Sequence, residues 1–219
     1  MKQILKPITI CLGALVAICA VLTVYADHTA NTLSSSIVRL HIIANSDSQK
    51  DQALKLKVRD RILEYIQEDL TESQNAAESM KTIENELPEI ERIAREVLEE
   101  EGSGDIVKVS LGTSAFPKKT YGEITLPSGN YQSLKVEIGD SIGKNWWCVL
   151  FPPLCFVDTQ SAVVTEEGKK VLEKELPKES YDLITSEQGD IKIKARFKIV
   201  DIIEGSKNKI QTAIASWFK

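Results

Sequence analysis

The stretch Asn145-Trp146-Trp147-Cys148-Val149-Leu150-Phe151-Pro152-Pro153-Leu154-Cys155-Phe156 holds two of the three tryptophans and both cysteines beyond residue 19. Its thiols suggest two kinds of chemistry. A catalytic thiol needs a histidine to activate it, and only His28 and His41 are available. Cys148 or Cys155 with His41 is the pairing within the body of the chain, but no local motif supports it. The alternative is a Cys148–Cys155 bridge, which an exported chain permits, or two buried free thiols. The rings suggest recognition. Trp146, Trp147 and Phe151 are typical interface anchors, with the proline pair fixing their shape, though large aromatics also fill cores. Arg39, His41 and Asn45 are second-choice contacts. They lie in Ile37-Val38-Arg39-Leu40-His41-Ile42-Ile43-Ala44-Asn45-Ser46-Asp47, where Arg39 and His41 are expected on the polar face of a strand.

Other chemistries find little footing. There is no G-x-S-x-G, Walker loop, dinucleotide fingerprint or H-E-x-x-H. The cysteine spacing does not suit zinc, and no cofactor is indicated. The 32 Asp and Glu residues single out no catalytic pair. A net charge of -5 disfavours nucleic-acid binding, which needs a basic face. These absences favour a binding protein over an enzyme.

The elements that must carry these residues read as α+β, because helices and strands are segregated along the chain. We expect a mostly antiparallel sheet packed against two or more long amphipathic helices. Ile37 to Ala44 reads as a strand. Leu54, Val58, Ile62, Ile66 and Leu70 recur every four residues and predict a helix to about Leu70. A second helical region runs from about Glu72 to Glu101, kinked or restarted at Pro88 and ended by Gly102 and Gly104. Residues 106–111, 120–126, 131–138 and 146–151 read as strands. The turn residues Pro127-Ser128-Gly129-Asn130 suggest a hairpin between the second and third of these. Residues 162–176 predict a modest helix, 191–200 a strand with alternating lysines, and a last helix starts at Ser206.

At the N-terminus, Lys2 and Lys6 precede an apolar run from Ile8 to about Ala26. This is either a signal peptide cleaved between Ala26 and Asp27 or an uncleaved anchor, since its length approaches a bilayer span. Either way the rest of the chain is exported, and membrane contact is confined to residues 8–26 if they are retained. The expected organisation is therefore a signal or anchor over 1–26, a flexible lead over 27–36, a main domain over 37–158, and a helix-strand-helix extension over 159–219, part of the same domain.

Four blocks resemble the stage II sporulation protein R family of endospore-forming bacteria. They are Arg39 to Asp47; Asp51-Gln52-Ala53-Leu54-Lys55-Leu56-Lys57-Val58-Arg59-Asp60; Phe116-Pro117 through Tyr121-Gly122 with Leu126 to Tyr131; and Asn145 to Phe156. The resemblance implies a signalling protein exported from the forespore into the intermembrane space. There it would activate the membrane-embedded, aspartic-type protease of the mother cell that processes the sigma-E precursor. It implies no catalytic residues. The competing readings are an exported cell-wall hydrolase and a membrane-attached scaffold of the sporulation septum.

Overall fold

Ser48 accepts a hydrogen bond from the Asp51 N–H and so caps helix α2 (Gln49–Glu72). The four-residue stripe from Leu54 to Leu70 is buried along its length. After a short turn, Asn75 caps α3 (Ala76–Glu100), and Glu78 reaches back to the Gln74 N–H. Pro88 sits inside α3 and the helix continues through it, so the expected restart there does not occur. In the computed structural model of the chain these helices form one layer; the structure describes residues 2–154, 166–185, 198–207 and 209.

The sheet is the middle layer. Its strands are β1 (Val38–Ile43), β2 (Val107–Phe116), β5 (Gly129–Ile138) and β6 (Asn145–Phe151), in the order β2-β5-β1-β6. The β2–β5 and β1–β6 pairs are antiparallel, and β1–β5 is parallel. The fold is α+β, with a mostly antiparallel sheet on helices, as the sequence predicts. Val38, Leu40 and Ile42 of β1 and Leu134, Val136 and Ile138 of β5 pack against α2 and α3.

The opposite face differs from expectation. Around Arg39 it is a second core rather than a solvated surface, built from Ile37, Phe116, Tyr131 and Val149, while Lys135 and Glu137 pair at its partly exposed end. It is roofed by Leu33 of α1 (Lys2–Ser36), by Ile124 and Leu126 of a small hairpin, and by α4 (Glu166–Glu175) and α5 (Lys178–Thr185). That hairpin is β3 (Lys119–Tyr121) paired with β4 (Ile124–Leu126). The expected hairpin between residues 120–126 and 131–138 is therefore not formed. A ten-residue β5 needs longer neighbours than a three-residue β4 can provide, and it takes β2 and β1 instead.

Helix α1 also changes the reading of residues 27–36. They are helical, not a flexible lead, because Ala26, Thr29 and Leu33 are buried against the body. Residues 10–21 of the same helix are exposed, and the segment is long and apolar enough to cross a membrane. Ala26 packs with Leu183 and Val200. Residues 198–207 are helical, so the last helix starts earlier than Ser206 and the expected strand does not reach 198–200. The rest of that strand, residues 191–197, lies outside the described residues, as do residues 162–165 of the expected modest helix. Helix α5 was not anticipated.

Candidate functional site: a buried arginine and its aromatic box

Alternation along β1 sends Arg39 and His41 to the second core. Arg39 has no exposed surface. Its guanidinium carbon lies 4.0 Å from the Phe116 ring centre, 4.8 Å from Tyr131 and 5.9 Å from Tyr121. This is a cation–π box assembled from β2, β3 and β5. Nη2 donates to the Tyr121 hydroxyl at 2.7 Å, and that hydroxyl donates to the Trp147 carbonyl at 3.2 Å. The Tyr131 hydroxyl is turned away and donates to the Pro127 carbonyl. Nε and Nη1 of Arg39 are buried without a hydrogen-bond partner among the described residues. A desolvated cation with two unused donors is costly, and the π faces of the box offset part of that cost. The burial that encloses Tyr131 raises its hydroxyl's pKa, although the nearby Arg39 charge opposes this.

His41 continues the stack. Its ring lies 4.0 Å from Trp147, nearly parallel to it, and meets Phe116 edge-on at 5.8 Å. Nε2 is 3.0 Å from the Asn145 side-chain oxygen, an acceptor, so Nε2 carries the proton and donates. Nδ1 is then a bare, buried acceptor with no partner among the described residues. Burial lowers the His41 pKa, against the hydrogen bond to Asn145, which raises it. The imidazole is neutral near pH 7.

The remaining sequence candidates do not share this face. Trp146 points through the sheet to the helix side, where the Arg59 guanidinium carbon lies 4.2 Å from its ring centre. Phe151 is a buried member of the helix-side core. Asn45 belongs to a corner clamp: its amide donates to Asp51, and its oxygen accepts from the Asp140 N–H at 2.9 Å. Asp51 also accepts from Ser46, and these bonds hold its carboxyl below its ordinary pKa. Cys148 is disulfide-bonded, while Cys11 and Cys19 are free and exposed on α1. Cys155 lies outside the described residues. At the expected cleavage point Ala26 is buried, and Asp27 pairs with Lys207.

The structure thus brings together Arg39, His41 and Trp147 and separates them from Trp146, Phe151 and Asn45. It adds Phe116, Tyr121, Tyr131 and Asn145, which sequence reasoning did not single out as site residues. Their only signal was membership of the resemblance blocks. Against the box lies a groove of about 680 Å³, where Phe116 and Trp147 are joined by Pro117, Lys118, Ser128, Ile202 and Lys209. The Asp201 carboxylate on its rim is occupied by Ser128. Chemically this is an apolar groove over a buried cation–π box, with Lys118 and Lys209 among its lining residues. The thiol of Cys148 is committed to its disulfide and is no nucleophile.

No solved structure matches the chain. The chain is 39% identical over 148 residues to Stage II sporulation protein R of Bacillus subtilis (strain 168), covering 67% of this chain and 66% of that relative. The family model for stage II sporulation protein R matches residues 34–161, the stretch that contains the whole sheet, the box and the corner clamp. The chain belongs to the stage II sporulation protein R family.

Proposed function

We propose that this protein is an exported sporulation signal that activates a membrane-embedded protease by binding it, leading to cleavage of the sigma-E precursor. The observation that carries the reading is the family match over residues 34–161, on a chain whose membrane-length helix precedes that region. The helix supports delivery across the forespore membrane into the intermembrane space. The chain acts as a ligand rather than an enzyme. To activate, it binds the active form of the protease more tightly than the inactive form, because equal affinity shifts no population. The preferred contact region is the side of the sheet carrying Trp147 and the groove beside it, not Trp146 or Phe151. The intact bond network of Arg39, Tyr121 and Trp147 holds that region rigid, so little entropy is lost on docking.

The test is reconstitution of the full-length chain and the protease in opposed or shared bilayers, following precursor cleavage. Cleavage that depends on added chain supports the reading. Purified full-length chain that degrades peptidoglycan while leaving the precursor intact favours an exported hydrolase instead. The continuity of α1 past residue 26 gives weight to a tethered form of the same ligand, or to a membrane-attached scaffold.

A further inference from the structure

The sheet has two edges, β2 and β6. The β6 side is irregular: a register shift interrupts its ladder with β1, and Cys148 carries a disulfide. The β2 side is regular. Its ten residues pair with β5 without a break, from Val107 opposite Ile138 to Phe116 opposite Gly129. On its other side no strand lies beside it among the described residues, and none of them pairs with the outward N–H and C=O groups of its alternate residues. Natural edges are blunted by prolines, bulges or several lysines. Here β2 has no proline, no bulge and one charge, Lys108. Val109 and Leu111 lie half-buried at the rim of the helix-side core, and a neighbouring strand would complete their burial. Gly112 has nothing near its missing side chain, so another backbone can approach.

The edge ends at the groove. Ala115, Phe116, Pro117 and Lys118 carry β2 into it, with Ile202 and Lys209 opposite. Among the described residues, the basic groups along this path are Lys108, which lies opposite Glu137 in the β2–β5 ladder, Lys118 and Lys209, and the carboxylate on the groove's rim, Asp201, is held by Ser128. We propose that β2 is a strand-addition site for an extended acidic segment of a partner protein, which pairs with the β2 backbone and seats an apolar side chain between Phe116, Trp147 and Ile202. Strand addition takes affinity from main-chain bonds and specificity from pockets for alternate side chains. A second copy of this chain fits poorly, because it would bring its own basic path onto this one. The proposal rests on the reading of the protein as a ligand for another protein.

The experiment uses full-length chain in sporulating cells. A photo-crosslinking residue at position 113 is compared with one at Glu84, exposed on α3. The expected result is a crosslink from position 113, and not from 84, to an acidic segment of one other protein. In parallel, Thr113→Glu with Ala115→Glu introduces repulsion and reduces precursor cleavage about tenfold or more. Thr113→Lys with Ala115→Lys keeps cleavage near wild type. Both variants must match the wild-type melting midpoint to be scored. Crosslinking to a second copy of the chain, or equal cleavage by the Glu and Lys pairs, overturns the strand-addition site. If cleavage depends on the chain but not on these pairs, the ligand reading stands without this surface. If cleavage does not depend on the chain at all, the ligand reading itself fails.

Discussion

Arg39 and His41 are polar side chains that the second core buries with donors or acceptors left without partners among the described residues. Arg39 keeps a full charge away from water with two donors unused, an arrangement that an apolar side chain of similar length would relieve. Arg39→Met is therefore expected to fold with stability within about 1 kcal/mol of wild type, or higher. Arg39→Lys loses the flat guanidinium over Phe116 and costs about 2 kcal/mol. Urea unfolding measures both. If Arg39→Met folds normally and still supports precursor cleavage, the charge has no role in signalling. The His41 prediction concerns pH. Its folded pKa is depressed, chiefly by burial, whereas an unfolded histidine titrates near about 6.5. Below that value the unfolded chain takes up a proton that the folded chain resists, so stability falls as pH drops from about 7 to 5. His41→Phe keeps the stack on Trp147 and removes the titration. Its stability-against-pH curve should be flatter over that interval, and an unchanged slope would refute the assignment.

The corner where β1 meets α2 shows how one loop holds two elements. Residues 139–144 are stitched to it by Ile142 N–H to the Asn45 carbonyl, Gly143 N–H to the Ala44 carbonyl and Lys144 N–H to Asp47. A Cβ on Gly143 would lie 2.3 Å from the Ser46 carbonyl oxygen, and that backbone is pinned. Gly143→Ala is expected to cost about 2–3 kcal/mol through a forced loop shift, while Gly104→Ala, in open space, is expected to be near neutral. Thermal melts of the two variants decide this. The same elements show what the sequence reveals. The α2 stripe and the alternation of β5 are local periodicities set against one large core, and they were legible. The box was not. Arg39 bonds Tyr121, 82 residues away, and the alternation Arg39-Leu40-His41 looks the same whether its polar face meets water or a second core. Nor could the pairing of residues 120–126 be read, because Pro127-Ser128-Gly129-Asn130 marks a turn without saying which strand the chain joins afterwards. The two tryptophans illustrate the period of two at its simplest: as neighbours on β6 they must face opposite sides, so they cannot act as a single patch.

At the scale of the whole molecule, the membrane-length helix is continuous with the folded body. Helix α1 runs unbroken from its exposed apolar half to Ser36. Tyr25 and Ala26 pack against Leu183, Val200 and Ile203, and Asp27 pairs with Lys207. The bond between Ala26 and Asp27 therefore lies at a seam where α1, α5 and the helix at 198–207 meet, rather than in a flexible lead. Cutting there would remove one buried and one half-buried side chain from that cluster. It would also leave a new α-amino group at the start of the residual helix, where the dipole disfavours positive charge. Together these effects should destabilise a chain beginning at Asp27 by about 1–2 kcal/mol relative to the full chain, or roughly 2–8 °C in melting midpoint. The comparison is made in one detergent, with the full chain and the 27–219 chain side by side. Equal midpoints would show that the seam contributes nothing. A lower midpoint for the shorter chain would mean that retaining the helix stabilises the folded body, as the tethered form of the proposed ligand requires. Mass spectrometry of the protein recovered from sporulating cells then tells which form is used: a chain retaining residues 1–26 is expected in the membrane fraction, and a released chain starting at Asp27 would count against tethering.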